Sequence, residues 1–437
     1  MLLSLAFYGG SGFADLGLLL IVIAISFNAG LLLERRSNRL LCAVAVLAVV
    51  SPLLLVKFLP LFPAFSWGGA LASRPGAIPP GLSFFTLQAV GYLIDVNTRR
   101  VQANRSALLH ALFLSYFPQL VAGPIGRATH LIPQLQAPRR PGVIDYYRAG
   151  KLAIWGYALK LLVADQLGLA IDTIRLGDAS GTPAASILVI SLFTLQIYFD
   201  FYAYSCLAIA FGESHGVTLT QNFNFPYAAA NPVDFWRRWH ISLSTWWRDY
   251  VYIPLGGSRK GIRIWLIATL AVFLLSGLWH GTGVSFLVWG AAHGVLVIVY
   301  VVSKRLALKY FSRRLQRMLR LPMRAGTIMA ISLLWLPFLQ PDLSRVMREL
   351  VNIGSGISTP ILTTKALWLL MTLAISPVLV LSVAVLFFDK SFMRIIRAEP
   401  PTTRSALVSE LALLDASIIL LVLLGDMGGR AFIYFRF

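Results

Sequence analysis

From Ile264 to Gly283 the chain reads IWLIATLAVFLLSGLWHGTG. No ionisable side chain interrupts it before His280, and at about 1.5 Å per residue a helix of this length crosses about 30 Å of hydrocarbon. Comparable apolar runs recur at Leu16–Leu33, Leu40–Leu59, Ile78–Ile94, Lys151–Ile174, Ile187–Phe211, Val284–Val302, Thr327–Leu339, Leu367–Phe388 and Ala406–Leu424, and with Ile264–Gly281 they predict about ten transmembrane helices. The composition agrees. Of 437 residues, 57% are hydrophobic and 13% charged, too few polar groups to cover a water-soluble globule of this size. The expected fold class is all-α and polytopic, as one membrane domain over 1–437.

Thirty-eight Lys and Arg against 18 Asp and Glu give a net charge of +20. In a soluble domain that balance would raise the question of nucleic acid. Here the basic residues gather between apolar runs, at 34–39, 97–100, 139–148, 237–263, 304–324 and 390–404, as cytoplasmic loops do under the positive-inside rule. They point to the lipid bilayer as partner and to no nucleic acid. Two spans separate each neighbouring pair of basic loops except across Val101–Gly126, which carries Pro118, Gly123, Pro124 and Gly126 and reads as re-entrant or buried among helices. Both termini are then expected outside the cytoplasm. Leu16–Leu33 lacks a preceding basic region and runs straight into ERRSNR, the pattern of a retained span. Cys42 and Cys206 sit inside apolar runs and form no ligand set.

A histidine at depth in a membrane faces protein or a wet cavity, because lipid leaves its nitrogens unpaired. His280 is such a group, and Gly277 and Gly281, four apart, let another helix approach beside it. It reads either as a catalytic imidazole or as an interhelical hydrogen bond. The segment NPVDFWRRWHISLSTWWRDYVYIPLGG, 231–257, predicts an amphipathic interfacial helix. Asn231 caps it, Pro232 and Asp234 suit its first turn, and Pro254 with Gly256 and Gly257 stops it. Phe235, Trp239, Leu243, Trp246 and Tyr250 line one face, and Arg237, Ser244 and Arg248 another. His240 lies on the aromatic side, either as an anchor beside tryptophans or as a proton-transfer or donor-binding group. Arg237, Arg238 and Arg248, with Trp236, are the candidate donor-binding residues, and lipid headgroups account for the arginines equally well.

Gln196, Asp200 and Tyr204 share one face of the fifth span, where Asp200 must be paired, protonated or wetted; its expected partners are a histidine, a substrate hydroxyl or an arginine of the 237–248 segment. Trp279 and Asp249, on other segments, join these three as candidates for supporting the site. His293, between Gly290 and Gly294, reads as packing, and His110, His130 and His215 have no carboxylate or cysteine at ligand spacing, so no metal site is expected. GxSxG, a Walker A loop and GxGxxG are absent, and an enzyme built on this chain would work through an intramembrane histidine.

In FWRRWHISLSTWWRDYVYIPLGG and GLWHG the sequence resembles the membrane-bound O-acyltransferase superfamily, in its bacterial alginate O-acetylase branch. Weaker similarity runs from ISFNAGLLLERR through GLSFFTLQAVGYLIDV, YFPQLVAGPIGR and QIYFDFYAYS to FIYFRF. The resemblance implies a ring of helices around a thinned centre with a central tunnel, and catalytic roles for His280 and His240. It implies acetyl-CoA as acyl donor with no bound cofactor, a polysaccharide acceptor, a periplasmic esterase-fold acetyltransferase as partner, and the bacterial inner membrane as location. D-alanyl transfer to teichoic acid is the rival within the superfamily, and a polysaccharide transporter or scaffold the rival outside it. Relatives usually carry a further hydrophobic segment upstream of the point matching Met1, often an acidic residue at Cys206, and glycines at Ala203 and Ala210.

Overall fold

The computed structural model describes residues 1–58, 79–176, 181–310, 312–355, 391–425, 430 and 432, and every regular element among them is helical. Among the described residues, eight helices are long and apolar enough to cross a membrane: Phe13–Arg35, Arg39–Phe58, Val143–Leu176, Pro183–Ser214, Ile262–His280, Val284–Tyr310, Arg320–Leu339 and Arg404–Leu424. Each contains or overlaps an expected span, as befits a multi-pass membrane protein; three run seven or eight residues beyond the expected bounds, at the starts of Val143–Leu176 and Arg320–Leu339 and at the end of Val284–Tyr310. The expected span Leu367–Phe388, and most of FIYFRF, lie outside the described residues.

The chain groups into two compact units. The first, residues 1–150 with 204–221, holds α1 (Leu2–Gly9), α2 (Phe13–Arg35), α3 (Arg39–Phe58), α4 (Leu82–Asn97), α5 (Ala107–Ser115), α6 (Phe117–Leu120) and α7 (Ala128–Gln136). The expected span Ile78–Ile94 is here α4, 16 residues buried on nearly every side. Burial all round places it within the protein, and it returns the chain to the 34–39 loop, where Arg99 donates to the Glu34 carbonyl at 2.8 Å. It packs on α2 where Gly30 leaves room: a Cβ there would stand 2.6 Å from the Tyr92 hydroxyl, which accepts the Asn104 N–H at 3.0 Å. The segment 101–126 contains no span. Its helix breaks at Tyr116, and Pro118 sits in the first turn of α6. The carbonyl of Phe113, freed near the break, accepts the buried Gln88 amide at 2.7 Å, which is how interrupted backbone is tolerated away from water.

The second unit, residues 151–203 with 222–433, contains the C-terminal part of α8 (Val143–Tyr157), a π-helical turn (Ala158–Ala164), α9 (Asp165–Leu176) and the greater part of α10 (Pro183–Ser214). After these come α11 (Pro232–Trp236), α12 (Ile241–Trp247), α13 (Ile262–His280), α14 (Val284–Tyr310), α15 (Arg313–Met318), α16 (Arg320–Leu334), α17 (Leu336–Leu339), α18 (Leu343–Ser355) and α19 (Arg404–Leu424). Its centre is the α13–α14 hairpin. A Cβ on Gly277 would run into the carbonyl of Phe286, and one on Gly290 into that of Phe273, so the two backbones touch at two levels. Between helices in lipid there is no hydrophobic driving force, and such close backbone contact is what holds them. Gly277→Ala and Gly290→Ala should each destabilise the protein by about 1–3 kcal/mol through forced separation of the pair. Gly326→Ala, with open space around its Cβ, should not. Thermal unfolding of detergent-solubilised protein reads the difference.

Candidate active site

His280 is the last residue of α13, just before the extended Gly281. Its ring is seated among aromatic faces, with centroids 4.7 Å from Trp279, 5.1 Å from Trp289 and 5.0 Å from Phe338. The helix that the Gly277–Gly281 spacing admits is α14, and it supplies Trp289.

The 231–257 segment starts as its sequence indicates: Asn231 Oδ1 accepts the Asp234 N–H at 2.9 Å and Pro232 opens α11. It is not one helix, however. The chain leaves helical geometry at Arg237 and turns at His240, whose φ of 42° and ψ of 56° lie in the left-handed region. The reason lies in the preceding loop. Asn224 N–H donates to the Arg238 carbonyl and Ile241 N–H to the Asn222 carbonyl, both at 2.9 Å, and the Ser242 hydroxyl donates to Asn222 Oδ1 at 2.6 Å. These tertiary bonds replace the helical ones, and a left-handed histidine costs of order 1–3 kcal/mol that they must offset. The apolar stripe survives the break. Phe235, Trp239, Leu243, Trp246 and Tyr250 are all buried, while Arg237 and Arg248 are exposed.

The turn drives the His240 side chain inward until it is 1% exposed, with Phe201 at 4.7 Å and Trp279 at 6.2 Å between centroids. One indole, Trp279, therefore touches both histidines singled out from the sequence. Burial pushes the His240 pKa down to about 3, so the ring is neutral at physiological pH.

The other candidates separate. Arg238 is held by Asp234 at 2.8 Å, and Arg248 pairs with Asp249, also at 2.8 Å, on the exposed side. Trp236, grouped with the arginines in the sequence, points inward to His293 at 4.9 Å and Phe273 at 5.3 Å. The cation that meets Asp200 is Lys160, at 2.8 Å, which also reaches Asp165 at 2.7 Å. It does so from the π-helical turn, a local widening frequent at functional positions. Gln196 packs over Gly168, where a Cβ would stand 2.5 Å from its amide nitrogen. Tyr204 belongs to the first unit, where its hydroxyl takes the Ala122 N–H. In that unit His110 Nε2 lies 2.8 Å from the Ser26 hydroxyl, which donates to the Ile23 carbonyl at 3.2 Å, a structural arrangement.

Sequence reasoning missed Lys160, Trp289, Trp335 and Phe338. A lone lysine in an apolar run five residues before an aspartate was a usable signal for the first. Aromatic residues at helical spacing read simply as core, and nothing local marked the other three.

A family model described as MBOAT, membrane-bound O-acyltransferase family, matches residues 103–340, more than half of the chain and inclusive of every residue of this site. The chain belongs to that family. Over 223 residues it is 38% identical to the "Probable alginate O-acetylase AlgI" of Pseudomonas fluorescens, covering 51% of this chain and 44% of that one. It is 34% identical to the peptidoglycan O-acetyltransferase of Helicobacter pylori, over 51% of this chain and 47% of the relative. Against the teichoic acid D-alanyltransferase of Bacillus subtilis identity is 28%, over 61% and 69%. These relatives bear out the resemblance read from the two motifs. The aligned part spans less than half the length of the O-acetylating relatives.

The buried His240 predicts a pH dependence. An unfolded chain protonates this ring near pH 6.5 and the folded protein only near 3, so the unfolded state holds more protons between those values and stability falls as pH is lowered through them. The melting temperature should drop from about pH 7 to about pH 4.5, and His240→Gln should make that slope shallower. An unchanged slope in the variant would contradict the assignment.

Proposed function

We propose that this protein is a membrane O-acyltransferase. It takes an acetyl group from acetyl-CoA at the cytoplasmic face and passes it towards a polysaccharide outside the membrane. The observation that carries this reading is the seat of His280: a buried imidazole at a helix end, walled by aromatic rings and sharing Trp279 with His240, inside the segment that matches the family. The imidazole takes the proton of an acceptor hydroxyl as its oxygen attacks the thioester carbonyl. The C–O bond forms, the C–S bond breaks, and the thiolate leaves with the proton that the imidazolium returns. General base catalysis of this kind is typically worth about 10² to 10⁴-fold. The apolar walls keep water from hydrolysing the thioester. Arg237 and Arg248, exposed beside the site segment, offer cations to the phosphates of CoA.

In this reading the basic loops face the cytoplasm, both termini lie outside it, and the protein resides in a bacterial inner membrane with a tunnel between the two sides. A periplasmic esterase-fold acetyltransferase receives the acetyl group for the polymer. A second reading, D-alanyl transfer to teichoic acid, is favoured by the similarity that covers 61% of the chain. In a host lacking its own copy, the wild-type gene should restore O-acetyl groups on the polymer. His280→Ala should lose them by at least about 10²-fold while polymer is still made and exported. Retained acetylation in a folded His280→Ala protein would exclude the catalytic reading and favour a transporter or scaffold. D-alanine esters in place of acetyl would select the second reading.

A further inference from the structure

Beside His280 lies a second group of rings that the reaction as described leaves unused. His293 of α14 is fully buried, its centroid 4.8 Å from Trp289, 4.9 Å from Trp236 and 6.2 Å from Trp335. Among the described residues, neither His293 nitrogen has a hydrogen-bond partner, and neither do the buried indole nitrogens of Trp236, Trp289 and Trp335. Five such atoms in one contiguous cluster is far from the rule that buried polar groups are satisfied. Edge-on contacts between the rings offer N–H groups only a π face, a second-order interaction. The chemistry of the set is one-sided. Indole N–H only donates, and a neutral imidazole gives one donor and one acceptor, so four N–H groups face one lone pair. A hydroxyl fits that set poorly. An oxygen with lone pairs and no proton fits it well, and Trp289 places the cluster against the His280 ring at 5.1 Å.

We propose that His293 and the indole N–H groups of Trp236, Trp289 and Trp335 form a binding site for the carbonyl oxygen of the acyl group, and hold that oxygen as it gains negative charge during transfer. This rests on His280 being the acyl-transfer residue. Preorganised donors of this kind act where charge develops, and removing one typically costs about 10² to 10³-fold in kcat.

The test uses the full-length protein in proteoliposomes with acetyl-CoA, scoring kcat, KM for the donor and melting temperature. Trp289→Phe and His293→Phe keep a ring and remove the N–H. Each should lower kcat by about 10²-fold and leave the donor KM within about 3-fold, while His293→Gln, which retains an amide N–H, should recover part of the loss. A wild-type kcat in folded Trp289→Phe and His293→Phe, alongside an inactive His280→Ala, would overturn the carbonyl site alone. An active His280→Ala would overturn the acyltransferase reading and this inference with it. Should the ring variants fail to fold, infrared spectra of acetyl-CoA labelled at the carbonyl, bound to folded His280→Ala protein, decide the matter. A carbonyl stretch lowered relative to free donor supports the site, and an unshifted band rejects it.

Discussion

Hydrocarbon offers no hydrogen bonds, and each polar group in this chain that enters the membrane must find its company within the protein. That constraint shapes both units. In the first, interrupted backbone between α5 and α6 survives because Gln88 reaches its freed carbonyl. In the second, Asp200 and Asp165 share Lys160 across a π-helical turn. The imidazole of His280 is enclosed by indole and phenyl rings on three sides. Glycine backbones at α13 and α14 make that enclosure geometrically feasible, since Trp289 reaches His280 only because Gly277 and Gly290 let the helices close up.

The break at His240 follows from the same pressure acting on an amphipathic segment. A continuous helix from Asn231 would leave this histidine on the aromatic stripe near the interface. The Ile241 N–H donating to the Asn222 carbonyl and the Asn224 N–H donating to the Arg238 carbonyl instead capture the backbone on either side of it and turn the ring towards α10 and α13. Local strain is thereby exchanged for convergence: two histidines forty residues apart in sequence come to one indole. The rings continue through Trp289 to His293 and through Phe338 to Trp335, so the hydrophobic walls of the site and the structural core of the second unit are the same residues.

Much of this was legible beforehand. Apolar runs located the eight described membrane helices, though three of them extend seven or eight residues past the apolar stretch into polar ends, and the proline–glycine punctuation of 101–126 marked a segment that does not span. The α13 helix end, the glycine spacing and the Asn231 cap were also readable, because each depends on residues within one or two turns. Lys160 as the partner of Asp200, the inward turn of Trp236 and the orphaned nitrogens around His293 were not. Each depends on contacts between segments tens of residues apart, to which helical periodicity is blind.

The sequence by itself determined that this chain lives in a membrane, which stretches cross it, and that histidine at the Trp-His-Gly end of one span is the group to watch. Those properties follow from the length and polarity of local segments, which the bilayer reads directly. Only the tertiary structure decided that His240 is buried on a strained turn, that Trp279 joins it to His280, and that His293 heads a cluster of hydrogen-bond donors beside them. Those outcomes were fixed by where distant backbone groups found partners, a competition that no single segment encodes.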